Sequence, residues 1–359
     1  MGIDVVKPNK LLLVATFRHY FIGLGLALND KKHDYHLIFI NQLYSDERNP
    51  IYQASVKMIE PFASVDCMPL RTSDFKQKNI NRKLAFKLLA EKITDLKPVE
   101  IATGNDRRIE YQYSMNFARN ILKLDVVGAY LDNGTGSYIS FQKLDIKKYL
   151  ARKWLDVPLK KLVYGSWFTS MQRFGGSYWT DKCYLTHPEF APERLKTKEC
   201  VAVEIDFYRT AYAQKVIGLL ISSLSSAVSL NEGGEGNILL VLPRGTVIED
   251  IYGSLSNAEK LIKAICSRYE NIFVKYHPAD HNDVLNFEGE ARFLPAAIPV
   301  EILYSVLSFD KVIGDTSTAI LSAKWMLPNA DVQFFDTDTK HTNIVKPLFE
   351  KMEIRPLKS

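Results

Sequence analysis

Short apolar runs that end abruptly at polar residues constrain this chain more than any other feature. Residues 11–16, Leu-Leu-Leu-Val-Ala-Thr, carry no charge and no alternation. A run of that kind has no face for water, so it reads as a strand covered on both sides, as in parallel sheets. Residues 20–28 then repeat their apolar positions at a helical period. Residues 36–40, 64–68, 100–103 and 126–131 are further strand segments, and 51–59, 83–96 and 111–122 read as helices. Strand and helix in alternation predict a doubly wound α/β sheet.

A second series follows. Strands at 237–242, 272–276, 291–294, around Val312 and at 332–335 alternate with helices at 255–269, after Pro299 and from Ala319. Before it come a helix at 212–230 and Asn231-Glu232-Gly233-Gly234-Glu235-Gly236, the clearest linker in the chain. Gly175-Gly176, Pro188, Pro192 and the charged residues 193–199 read as a further link. We expect domains at 1–230 and 231–336, followed by a polar tail at 337–359. The length of 359 residues is enough for two cores.

A hydrophobic fraction of 47% excludes a disordered chain. The net charge of +5 suits an anionic small molecule or an anionic membrane surface. Without a zinc knuckle or RNA-binding motif, nucleic acid is not an expected partner. Cys67, Cys183, Cys200 and Cys266 lack CxxC spacing, which predicts free thiols, no thiolate metal site and a reducing cytosol. Arg18 and His19 follow the first apolar run at once, so that run reads as a strand and not a signal peptide. Residues 216–230 are interrupted by serines and too short to span a bilayer. Between 143 and 173, Lys147, Lys148, Arg152, Lys153, Lys160 and Lys161 interleave with Tyr149, Trp154, Leu155, Leu162, Trp167 and Phe168. Such a segment lies either on an anionic leaflet or along the surface with its apolar side in the core.

Several strand segments end in groups that carry chemistry. Lys275-Tyr276-His277-Pro278 puts an imidazole at a strand tip, where open α/β sheets bind ligands. Asp315-Thr316-Ser317-Thr318 supplies hydroxyls ahead of a helix, whose first N–H groups favour an anion. Asp132-Asn133-Gly134-Thr135-Gly136-Ser137-Tyr138 closes another strand, as does Gly104-Asn105-Asp106-Arg107-Arg108. Each also has a plain reading. Asn-Gly makes tight turns, His-Pro recurs at His187-Pro188, and Glu301 equally suits a ribose or the start of its helix. Asp336-Thr337-Asp338 has Asp-x-Asp spacing but too few oxygens for a hard cation, and we assign no metal and no cofactor. Taken together, Asp132 and His277 form a pair suited to glycosyl transfer. One takes a hydroxyl proton, and the other stabilises the phosphate that leaves.

These segments, in this order, resemble the bacterial sialyltransferases that act on lipooligosaccharide or build capsular polysialic acid. The resemblance runs from about Leu11 to Phe335 and rests on residues 131–138, 275–278, 298–303 and 315–318. It implies an α/β, metal-independent fold of GT-B type, with two Rossmann-like domains facing each other across a cleft. It implies Asp132 as the base and His277 as acid or phosphate stabiliser. Ser317 and Thr318 would be phosphate ligands, Thr316 a further donor-binding residue, Glu301 a ribose ligand, and Lys275 and Pro278 neighbours of the nucleotide. Asn133 departs from the pattern, because many members carry a second acid there, and residues 316–318 depart from the usual hydroxyl pair. A base at Asp132 needs surroundings that raise its pKa above the usual value of about 3.9.

The expectation is therefore an inverting transfer of sialic acid from CMP-sialic acid to a hydroxyl, such as that of galactose, on a bacterial surface glycan. Asn105, Arg107 and Arg108 are candidates for the acceptor side. The protein is expected in the cytoplasm, peripherally associated with an anionic inner leaflet. CMP-Kdo is the alternative donor. A nucleotide-sugar epimerase and a non-catalytic glycan-binding or assembly protein are the readings from other classes.

Overall fold

A computed structural model describes residues 6–40, 49–57, 60–69, 72–139, 154, 157–170, 173–224, 236–278, 280, 292–337 and 339–357. Contacts divide the chain into two compact units between Val216 and Ile217.

The first unit is built on strands β1 (Asn9–Val14), β2 (Asp34–Phe39), β3 (Ser64–Cys67), β4 (Glu100–Thr103), β5 (Val127–Leu131), β6 (Lys182–Leu185) and β7 (Glu199–Ala202). Its main helices are α1 (Phe17–Asn29), α2 (Pro50–Lys57), α3 (Phe75–Leu96) and α4 (Ile109–Asn116), with a single turn α5 (Thr135–Tyr138) and α6 (Val157–Tyr164). α7 (Ala211–Leu224) contains the division between units. All pairings are parallel, in the order β3-β2-β1-β4-β5-β6-β7. Leu11, Leu12, Leu13 and Val14 are fully buried, as a strand covered on both faces requires.

The second unit has β8 (Ile238–Val241), β9 (Ile272–Lys275), β10 (Arg292–Leu294), β11 (Lys311–Gly314), β12 (Asp331–Phe334) and β13 (Arg355–Pro356). These pair in parallel in the order β10-β9-β8-β11-β12-β13. Its helices include α8 (Leu255–Cys266), α9 (Val300–Val306), α10 (Thr318–Met326) and α11 (Lys340–Lys351). Each unit is thus a parallel, Rossmann-like α/β domain, the expected class. In each sheet the strand order reverses once, between β1 and β4 and between β8 and β11. Loops at the carboxyl ends of those strands are where such sheets take ligands.

Three regions differ from the sequence reading. Residues 175–199 do not link domains: they carry β6 and begin β7, which extend the first sheet. Both strands are four residues long, and β7 is only half-buried, so neither shows an apolar run. α3 starts two turns earlier than expected, at Phe75, with the Asp74 carboxylate capping Gln77 N at 2.7 Å. Those turns hold Lys76, Lys78, Asn81 and Arg82, so no apolar period announces them. Residues 337–359, read as a polar tail, include α11 and β13. Phe349 packs edge-on to Phe334 at 5.5 Å and is fully buried. Residues 231–235 of the glycine-rich linker and Asp338 lie outside the described residues. All four cysteines are free. No helix among the described residues is long and apolar enough to cross a membrane.

Candidate functional site

In the first unit, Thr16 caps α1, its hydroxyl accepting from His19 N at 3.4 Å. Arg18 and His19 therefore stand in the first turn of α1, just beyond the end of β1. Gly104 follows β4, and a Cβ on it would lie 1.9 Å from the His19 ring, so only glycine lets the imidazole rest there. His19 Nε2 is 2.8 Å from Asn133 Oδ1. An amide oxygen only accepts, so Nε2 carries the hydrogen and Nδ1 keeps its lone pair. Nδ1 has no hydrogen-bond partner among the described residues. Burial above all, with Arg18 adding to it, lowers the His19 pKa to about 4, against the opposing effects of Asn133 and Asp132. The ring is neutral near pH 7.

Asp132, just beyond β5, is completely buried. Its carboxylate accepts from Gly134 N at 2.6 Å, Thr186 Oγ1 at 2.7 Å, Thr186 N at 3.0 Å, Ser137 Oγ at 3.2 Å and the Tyr138 hydroxyl. Arg18 Nη2 lies 3.4 Å away. Burial by itself raises a carboxylate, but Arg18 and these donors outweigh it, and the Asp132 pKa falls below its ordinary value. The raised pKa required of a base at Asp132 is therefore not found. The lone-pair directions of the group are taken up by the loops it ties together. Gly134, at φ 68°, makes the turn that brings its N–H onto the carboxylate.

His19 and Arg18 escaped the sequence reading, although the rule that picked His277, a polar group at a strand tip, applies to both. Thr186 and His187 were also passed over. They follow β6, with Thr186 on Asp132 and His187 N donating to the Tyr138 hydroxyl at 3.0 Å. Among the acceptor candidates, Asn105 accepts from Arg107 N at 3.3 Å, and Arg108 is bound to Glu110 by two hydrogen bonds of 2.9 Å. Arg107 is exposed, its guanidinium 4.9 Å from the Phe174 ring centre.

In the second unit, His277 and Pro278 follow β9 and are exposed. Packing around the His277 ring lowers its pKa, with Lys275 and Arg244 acting the same way and Asp280 opposing. Lys275 is only 1% exposed, and Nζ donates to the carbonyls of Tyr276 at 2.6 Å and Ala296 at 3.0 Å. Expected near the nucleotide, it directs its amine inward and ties the strand end to the loop after β10. Burial brings its pKa down to about 7. Glu301, in the first turn of α9, is buried and accepts from Ser322 Oγ at 3.1 Å.

Thr316 is also buried, its hydroxyl 3.1 Å from His341 Nδ1. Ser317 is the N-cap residue of α10, yet its Oγ makes no capping bond and is buried beside the Asp315 carboxyl. Thr318 begins the helix. The first N–H groups of α10 stand just beyond β11, beside the strand reversal, with the Asp315 carboxyl next to them, its pKa raised by burial. Asp336, from the Asp-x-Asp stretch, accepts from Lys346 Nζ at 2.6 Å.

No family model and no curated protein sequence matches the chain. Solved structures do. A Polygonum tinctorium UDP-glucosyltransferase, solved in complex with 3,4-dichloroaniline, aligns over 99% of this chain and 86% of its own, with a TM-score of 0.54 and 10% identity. Arabidopsis thaliana UGT89C1, complexed with UDP-L-rhamnose, aligns over 98% and 85%, with a TM-score of 0.53 and 9% identity. The UDP-GlcNAc 2-epimerase from Methanocaldococcus jannaschii aligns over 98% and 89%, with a TM-score of 0.52 and 10% identity. What the chain shares with them is the fold, the pair of Rossmann-like domains of the GT-B class.

Proposed function

We propose that the protein is an inverting glycosyltransferase that moves sialic acid from CMP-sialic acid to a hydroxyl of a bacterial surface glycan. One observation carries this reading. Asp132, His277 and the Ser317-Thr318 pair, from three of the four motif segments of the sialyltransferase resemblance, follow the carboxyl ends of parallel strands β5, β9 and β11 at or near the strand reversal of each sheet, while residues 298–303 follow the edge strand β10. The second unit takes the donor: Ser317, Thr318 and the first N–H groups of α10 receive the phosphate, with His277 beside it. The first unit takes the acceptor, with Arg107 as its exposed cation.

His19 is the base in this reading: its Nδ1 holds an unengaged lone pair, buried in this structure, that an acceptor hydroxyl reaches only once the site opens, whereas the Asp132 carboxylate is fully engaged. Asp132 acts by holding Arg18, Tyr138 and Thr186 around it. The acceptor oxygen attacks the anomeric carbon, the bond from that carbon to the CMP phosphate oxygen breaks, and the hydroxyl proton passes to Nδ1. CMP leaves with the bonding pair. A nearby anionic substrate raises the His19 pKa and strengthens it as a base. An acceptor presented at an anionic inner leaflet, with the protein held there peripherally from the cytoplasm, belongs to the same reading.

The test is nucleotide release by purified protein in EDTA, with and without galactose-terminated oligosaccharides, from CMP-sialic acid, CMP-Kdo and UDP-sugars. Acceptor-stimulated CMP release from CMP-sialic acid, weakened by combined Ser317→Ala and Thr318→Val, is the expected result. Release from CMP-Kdo alone reassigns the donor. UDP-sugar turnover without an acceptor makes the protein an epimerase, and silence with every donor and acceptor removes the enzymatic reading in favour of glycan binding or assembly.

A further inference from the structure

The segment around α6 breaks the pattern of the first unit. Every other long helix there buries apolar side chains; α1 buries residues 18–28 without interruption. In α6 no residue is buried. Leu159, Leu162 and Val163 are 62%, 84% and 72% exposed, and Trp154 just before the helix is 69% exposed. The three aliphatic residues are spaced i, i+3 and i+4, so they form one stripe. Lys160 and Lys161 lie between them in sequence, and α6 contains no acidic residue.

The helix is held at its other end. Arg82 of α3 hydrogen-bonds the Tyr164 hydroxyl and lies 5.2 Å from its ring centre. Tyr164 meets the buried Phe168 at 6.0 Å, and Trp167 packs edge-on to Phe86 and Tyr113. Thr169 N donates to Gln112 Oε1 at 2.8 Å, and Gln112 Nε2 donates back to Thr169 O at 3.0 Å. The stripe is therefore anchored to the domain while its own apolar atoms meet no core. Of the two sequence readings of this segment, an apolar side in the core describes Trp167 and Phe168 but not α6, and residues 143–153, 155–156 and 171–172 lie outside the described residues.

We propose that Trp154 and α6 form a face that inserts into an anionic lipid bilayer, the aliphatic stripe entering the acyl boundary and Lys160 and Lys161 meeting the headgroups. A bilayer of that kind offers an apolar phase and negative charge together, and this face needs both. A second copy of the chain fits less well. A symmetric contact through the stripe would bring Lys160 and Lys161 against their equivalents without an acidic residue of α6 to answer them. The inference supplies a surface for the peripheral association in the reading above, and its test uses neither donor nor acceptor, so the two can fail separately.

The test is co-sedimentation of the full chain with vesicles of phosphatidylglycerol and phosphatidylethanolamine, against vesicles of phosphatidylcholine alone, at two salt concentrations. Binding to the anionic vesicles, weaker at high salt, is expected. Lys160→Glu with Lys161→Glu reduces partitioning at low salt by about tenfold or more, since each cation near an anionic surface contributes roughly fivefold. Leu162→Glu with Val163→Glu abolishes it. Lys161, Leu162 and Val163 are exposed, whereas Lys160 is half-buried 5.9 Å from the Phe168 ring centre. Lys161→Glu alone therefore repeats the charge test, and the circular dichroism spectrum and melting temperature check that each variant is folded. Absence of wild-type binding, equal binding by the variants, or a wild-type dimer that Leu162→Glu converts to monomer in sedimentation velocity overturns the proposal.

Discussion

His19 and Asn133, 114 residues apart in sequence, meet with Nε2 2.8 Å from Oδ1. The neutral amide fixes the tautomer of the ring without adding a charge to it. A carboxylate in its place would favour the imidazolium. Asn133→Asp therefore raises the His19 pKa from about 4 toward or beyond its ordinary value of 6.5. An NMR titration of the imidazole measures the shift, and an unmoved pKa would show that burial alone governs the ring.

His19→Gln keeps a side chain that can bond Asn133 and removes the base. Turnover should fall by about 10²- to 10⁴-fold with the KM for the donor nearly unchanged. Steady-state kinetics with varied donor separates the two parameters. Equal turnover in variant and wild type would exclude proton transfer through this ring.

Asp132→Asn should act on stability first. The carboxylate receives hydrogen bonds from backbone and hydroxyl donors and faces Arg18, and an amide would turn N–H groups toward those donors. Breaking a buried arrangement of this kind costs about 3 kcal/mol or more, read from urea unfolding monitored at the tryptophans. A variant as stable as wild type would contradict the tying role given to Asp132.

Lys275 predicts an alkaline trend. Its pKa is lowered from 10.5 to about 7 in the folded protein. Between those values the unfolded chain holds a proton that the native chain does not, so stability rises with pH across the window. The slope contributed is up to about 1.4 kcal/mol per pH unit. Lys275→Met, compared with wild type from pH 7 to 10, should be flatter by that amount. Parallel profiles would show that the buried amine keeps its proton.

The sequence by itself determined the strands that bury both faces. Residues 11–14 and 238–241 are apolar throughout, and local composition suffices when no side of a strand meets water. It also determined that polar groups follow those runs, as at His277 and Ser317. It did not reveal β7, whose residues are mostly half-buried at a sheet edge, nor the first turns of α3, where residues 76–80 are exposed. Only the tertiary structure decided what the strand-tip residues do. Asp132 reads as a base in sequence and Lys275 as a neighbour of the nucleotide, yet each side chain is engaged by partners from other elements, Thr186 and Arg18 for one and Ala296 for the other. His19 reads in sequence only as a polar residue after the first strand, yet Asn133 and Gly104 settle its tautomer and position. The physical reason is common to all three. The ionisation of a buried group is set by the donors, charges and desolvation around it, and those come from residues distant in the chain.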